Sequence, residues 1–149
     1  MSYKAGEDAI LAKVATCAGF NAANTGQAKW RLLNSGLSDN YAILRPGPFN
    51  LEWLSPTVYQ TTWTTVIEVW QRYKDDGTTQ EDLYEHINSL LATLQKWPNM
   101  GNLATVQDSS VSGGDEPEEM WNAGGNGPAW LRWKINITWV EQDTVTFSE

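Results

Sequence analysis

The sequence predicts an α+β domain: an antiparallel sheet of about four strands with helices packed on one face. Three observations carry this. Two long stretches, 58–73 and 130–145, alternate apolar and polar residues with a period of two. Between them lies one strongly amphipathic helix. The order helix, helix, strand, strand, helix, strand, strand contains runs of strands without a strict βαβ repeat.

The first helix is expected over residues 5–20. Ile10, Val14 and Cys17 mark its apolar face, with Leu11 beside it, and Gly19 stands at the stop position. A second, shorter helix is expected over 24–36. Thr25 is placed to cap it, Trp30 and Leu33 to face inward, and Gly36 to end it. Tyr41–Leu44 reads as a short strand, ended by Arg45-Pro46-Gly47-Pro48, where two prolines forbid regular pairing. Phe49–Pro56 reads as a loop carrying Trp53.

The long strand follows. Trp63, Thr65, Ile67 and Val69 fall on one face, and Thr64, Val66, Glu68 and Trp70 on the other. Lys74-Asp75-Asp76-Gly77 is turn chemistry. Thr78 and Glu81 have capping-box spacing. Leu83, Ile87, Leu90, Leu91, Leu94 and Trp97 then recur at steps of three and four until Pro98. Residues 101–111 form a weaker strand expectation through Leu103, Thr105 and Val106. The glycine-rich, acidic stretch 112–128 reads as a flexible loop outside the core. Along 130–145, Leu131, Trp133, Ile135, Ile137 and Trp139 share one face, and Arg132, Lys134, Asn136 and Thr138 the other. That pattern fits an antiparallel sheet covered on one side. Residues 141–149 stay β-prone and are expected to be an edge or an extended arm.

A chain of 149 residues fits one domain. At that size roughly 68–70% of the unfolded surface can be buried, enough for a core without staples. The nine tryptophans exceed what one small core can hide, which points to interface use of some of them. The net charge of −8 makes direct nucleic-acid binding a poor fit, because that affinity comes from Lys and Arg neutralising phosphates. Cys17 stands alone, so no intrachain disulfide forms, and its helical position suits a buried core residue. The N-terminal residues lack a signal-peptide pattern, and no segment reaches the roughly 18 apolar residues of a membrane span. These features lead to the expectation of a soluble protein made in a cytoplasm.

Chemistry is sparse. His86 falls off the leucine stripe and is expected to face solvent, with no nucleophile or orienting group beside it in sequence. One His and one Cys on different helices do not make a transition-metal set. Asp115, Glu116, Glu118 and Glu119 fit no EF-hand spacing, and Gly124-Gly125-Asn126-Gly127 has neither a Walker lysine nor a dinucleotide fingerprint. No catalytic, cofactor or metal residue is therefore assigned. What remains is surface. Glu68, Trp70 and Arg72 on one long strand, and Arg132 and Lys134 on the other, would share the uncovered sheet face if the two strands pair. This face, with the loop acids Asp115, Glu116, Glu118 and Glu119, is the candidate interface to a neighbouring subunit or partner. Charge reversal at Arg132 or Lys134 is accordingly expected to weaken assembly more than folding. Deleting 113–127 is expected to leave a folded subunit with impaired docking.

The arrangement resembles the tail terminator (tail completion or minor tail) proteins of long-tailed bacteriophages and the related neck proteins. The residues that carry the likeness are the Arg45-Pro46-Gly47-Pro48 turn after a short strand and the aromatic-rich run Thr62–Trp70. An amphipathic helix, a strand, an acidic glycine-rich loop and a final Trp-rich strand follow. The resemblance implies a homohexameric ring at the head-proximal end of the tail tube. Such a ring stops tube polymerisation and joins the tail to the head connector, with DNA passing through its lumen without specific binding. It further implies a virion location after assembly in the host cytoplasm, with no active site and no cofactor. The alternatives are a head–tail adaptor of the same virion, or a small carbohydrate- or peptide-binding module that uses exposed tryptophans.

Overall fold

Two unbroken strands form the spine of the molecule. The computed structural model describes residues 3–27, 38–74, 77–95, 97, 100, 103, 106–121 and 128–145. Within these, helix α1 spans Tyr3–Val14 and strands β1, β2, β3 and β4 span Thr25–Gly26, Asn40–Pro46, Asn50–Trp53 and Val58–Arg72. Helix α2 spans Thr79–Leu94, and β5, β6 and β7 span Val106–Gly114, Glu118–Trp121 and Pro128–Thr144. β4 and β7 pair antiparallel in one uninterrupted register from Val58↔Thr144 to Arg72↔Trp130.

Each spine strand is flanked by a lane broken in two. β2 and β3 both run antiparallel to β4, but three residues (47–49) span the two β4 residues 63 and 64. Pro46 and Pro48 have no N–H to give the ladder, so the lane bulges there, and the Gly47 N–H bonds Thr64 O at 2.8 Å instead. β5 and β6 flank β7 in the same way, with register shifts along β5. β1 adds a parallel pairing to Ala42 and Ile43.

These findings correct the predicted class. The protein is largely β, with one mixed sheet of seven strands and two helices among the described residues, not an α+β fold on about four antiparallel strands. The prolines and bulges split the flanking lanes, and β1 makes the sheet mixed. Thr25 does not cap a helix. Its buried hydroxyl donates to Asn21 O at 2.8 Å, in a loop shaped by Asn21 and Asn24 side chains, and it pairs with Ala42. The rest of the expected 24–36 helix, with Trp30 and Leu33, lies largely outside the described residues.

Other boundaries also move. α1 stops at Val14, where tighter bonds from Thr16 and Cys17 N–H to Lys13 and Val14 O take over, and Gly19 follows at φ 91. Phe49–Pro56 contains β3. The expected capping box is absent: Thr78 makes no side-chain cap bond, and Thr79 Oγ1 instead accepts the Lys74 N–H at 2.9 Å. α2 ends at Leu94, and Trp97 packs on the core from beyond it. The stretch 112–128 is partly sheet, through the end of β5 and all of β6. Residues 141–144 belong to β7 and form no free arm, and the Val145 N–H bonds Thr57 O at 2.7 Å.

Both helices cover one face. Ile10 and Val14 of α1 and Leu83, Ile87, Leu90 and Leu94 of α2 meet Ala42, Leu44, Ile67, Val69, Ile135, Ile137 and Trp139 of the sheet. Fully burying one such aliphatic side chain contributes about 1.5–3 kcal/mol. The residues of this core are the odd-numbered positions of β4 and β7, as strand alternation requires. Gly6 lets α1 lie directly on Trp139: a Cβ there would come within 2.5 Å of the indole.

Candidate functional site

On the face away from the helices, β4 and β7 alternate cations with tryptophans. Trp70 lies opposite Arg132, and Arg72 lies opposite Trp130. Each guanidinium sits over the facing ring, at 5.4 Å for Arg132 on Trp70 and 4.5 Å for Arg72 on Trp130, a cation–π arrangement. One step along, Glu68 lies opposite Lys134. Glu68 is buried, and its carboxylate accepts from Arg45 Nε at 2.9 Å and Arg132 Nη1 at 3.4 Å. Tyr41, Ile43 and Trp70 form a small buried cluster beside it, with Met120 and Trp130 packed against them.

The structure therefore brings Glu68, Trp70, Arg72, Arg132 and Lys134 onto one face, but it does not leave them equally available. Glu68 and Trp70 are buried within the subunit. Arg132 is largely enclosed, joined to Glu68 and, at 2.7 Å, to Glu118. Its guanidinium holds the Glu118 carboxyl below the usual carboxylate range. Arg72 pairs with Asp39 at 3.5 Å.

Of the other acids, Glu119 accepts from the Tyr73 hydroxyl at 3.1 Å. Burial, then this carboxylate, raises the Tyr73 pKa. Asp115 and Glu116 are exposed, and the Asp115 carbonyl accepts the Trp133 Nε1–H. Glu118 and Glu119 are thus tied to the sheet, and the acids do not form a separate cluster on a loose loop.

His86 does not face solvent freely. Its ring packs 5.3 Å from the ring of Phe20, and Nδ1 is buried without a hydrogen-bond partner. Burial lowers its pKa below the ordinary histidine value. On the helix-covered face, the Tyr3 hydroxyl bonds the buried Glu7 carboxylate and lies 3.0 Å from Thr65 Oγ1, while Gln27 donates to Glu7 at 2.8 Å. Burial and the Glu7 bond push the Tyr3 phenol well above its usual pKa, so it remains protonated. This knot pins α1 and the β1 segment to β4. Among the described residues, no three His, Cys, Asp or Glu side chains gather as a metal site, and no helix is long and apolar enough to cross a membrane.

The most exposed apolar surface lies elsewhere. Phe49, Leu51, Trp53 and Leu54 are 63, 47, 55 and 47% exposed. Leu51 pairs with Thr61 and Trp53 with Tyr59, so both extend the helix-side face of the sheet past the region the helices bury. The Phe49 ring leans on Trp63 at 5.3 Å and Trp53 on Tyr59 at 5.2 Å. Grouped exposed apolar side chains of this kind make the end of the sheet a candidate interaction surface. It was missed as a site because 49–56 reads as a loop. The signal was present, since Leu51 and Trp53 alternate with Asn50 and Glu52 directly before the Ser55-Pro56 turn. Arg45, the second cation on Glu68, was missed because it stands beside a proline.

The sequence matches no protein-family model, and no curated protein matches it.

Proposed function

We propose that this chain is a structural assembly protein, a tail-terminator-type subunit that works by packing against copies of itself and against neighbouring virion proteins. The observation that carries the reading is the exposed apolar end of the sheet at Phe49, Leu51, Trp53 and Leu54. A subunit with such a surface is completed by a partner. Two further features support it. Polar side chains in the subunit are engaged structurally, with Glu68 held by two arginines and His86 packed against Phe20. The long β4–β7 spine also gives a rigid strut of the kind that building blocks of a tube or ring need. In this reading the assembled form is a homohexameric ring that caps the tail tube beneath the head connector, with DNA in its lumen and no cofactor.

Electron microscopy of the purified chain, with mass measurement, tests this. Closed rings are expected, alone or on the end of a tail tube. A chain that stays monomeric at high concentration and is missing from purified phage particles would overturn it. The single exposed tryptophan among those with described side chains, Trp53, keeps a binding-module reading in view. The aliphatic Leu51 and Leu54 beside it suit protein contact better than sugar stacking. Quenching of tryptophan fluorescence by saccharides would favour the module.

A further inference from the structure

The edges of this sheet are treated differently. β2 is covered by β1 where they pair. β5 is irregular, with register shifts at Val106/Asp108 and Val111/Gly113, and Gly113 adopts φ 151. Bulges of this sort blunt an edge against further pairing. β3 has neither cover nor bulge: Asn50-Leu51-Glu52-Trp53 contains no proline or lysine, Glu52 is its one charge, and β4 is its one strand partner among the described residues. Its apolar side chains are also the exposed ones.

We propose that this edge pairs with itself: β3 of one subunit lies antiparallel to β3 of a second copy, centred on Leu51, so that one sheet runs through both. The register follows from the side chains. Centred on Leu51, the two Leu51 residues face each other, Trp53 faces Phe49 of the second copy, and Asn50 faces the other Glu52. All apolar groups then lie on one face, and on the other face amides meet carboxylates. Centred on Glu52, the two carboxylates would stand directly opposite, which destabilises a strand pair. Any register centred between residues would set the apolar side of one strand against the polar side of the other. The β5 edge is a poorer partner, because its exposed residues include Gln107, Asp108 and Ser112.

Such a contact is isologous and closes at two subunits. It uses the same apolar end that carries the ring reading, but as a twofold contact: covalent dimers through Leu51→Cys support it, whereas a ring closed head-to-tail through this surface would give none. Backbone pairing of edges supplies the attraction, and the Phe49–Trp53 contacts supply the specificity.

Cysteine scanning tests the register directly. The native Cys17 is buried, so the unsubstituted chain should give no covalent dimer under mild oxidant. Leu51→Cys should cross-link in high yield, and Asn50→Cys and Glu52→Cys far less. Leu51→Arg, which sets two guanidiniums opposite each other, should lower the solution mass with the far-ultraviolet circular dichroism unchanged. Equal or better cross-linking at Glu52 or Asn50 would overturn the proposal. So would a Leu51→Arg protein whose mass equals that of the unsubstituted chain.

Discussion

Arg132 stands directly across the β4–β7 seam from Trp70, its guanidinium 5.4 Å from the indole centroid, and the same guanidinium reaches back to the buried Glu68. One side chain thus caps an aromatic ring, neutralises an interior carboxylate and holds Glu118 on β6.

That geometry separates two residues that the sequence treats as equivalents. Charge changes at Arg132 or Lys134 were expected to disturb assembly more than folding. Removing one member of a buried pair strands the other charge and costs about 3–5 kcal/mol. Glu68→Ala should fall near the lower end, about 3 kcal/mol, because Arg132 keeps some access to water. Arg132→Ala should cost less, about 2 kcal/mol, because Glu68 keeps Arg45 at 2.9 Å. Arg45, half exposed, should cost about 1 kcal/mol. Lys134→Ala should stay within about 0.5 kcal/mol. Urea unfolding of the four variants checks the order, and equal losses at Arg132 and Lys134 would refute it.

Close packing at Gly6 gives a second expectation. The missing side chain lets α1 rest on Trp139, which is fully buried and has no room to retreat. Gly6→Ala improves local helix propensity by up to about 1 kcal/mol, but overpacking a core costs about 1–3 kcal/mol. Trp139 is fully buried and stacks on Tyr3, so the steric term should win and the variant should lose about 1–2 kcal/mol. A rise in melting temperature would show that α1 can slide to accommodate the methyl group.

The two long strands were readable because their alternation is uninterrupted: Ile67 and Val69 face Ile135 and Trp133, as the pattern predicts. The leucine stripe of α2 was readable for the same reason. The flanking lanes were not. Pro46 and Pro48 signal an end to pairing, yet the chain needs only a bulge to resume at Asn50. Likewise Gly113, Gly114 and Pro117 look like a loop, although Glu118–Trp121 rejoin β7. Thr25 and Thr78 carry good capping side chains, but the Thr25 hydroxyl donates to Asn21 O, and at the start of α2 the side-chain bond is the one Thr79 accepts from the Lys74 N–H. Glu68, Trp70, Arg72, Arg132 and Lys134 lie on the two paired strands, as their alternation predicts. What sequence could not reveal is that Arg45, from a neighbouring lane, helps bury Glu68.

The pH response should trace to His86. Its folded pKa lies below the unfolded value of about 6.5 because burial disfavours the charged ring. As pH falls through 6.5 the unfolded chain binds this proton more readily than the folded one. His86 therefore contributes no pH dependence at higher pH, and its effect destabilises the fold as pH drops below 6.5. The nearby Asp82 and Glu85 oppose the shift and limit its size. Stability measured from pH 8 to 5 should decline less in His86→Gln than in the parent chain. An identical slope would remove His86 as the cause.

Residues 113–127 provide the sharpest contrast between the two levels of reading. As a loop, the stretch could be deleted without loss of fold. In the structure it includes Gly113 and Gly114, paired with Asn136 and Ile135, and β6, paired along Arg132–Pro128. Its removal would strip one lane from the end of β7 and expose the Tyr41–Ile43–Trp70 cluster on which Met120 packs. It would also take Glu118 from Arg132 and the Asp115 carbonyl from Trp133. The Trp133 hydrogen bond alone is worth about 1 kcal/mol, and the lost lane of β7 adds to it, against the 5–15 kcal/mol that holds a typical domain. Deletion of 113–127 should therefore give a protein that is largely unfolded or melts far below the parent. Met120→Ala alone should cost about 1 kcal/mol, since that side chain is half-buried. A deletion variant with an unchanged melting transition and near-ultraviolet circular dichroism would show that β6 is peripheral to the fold.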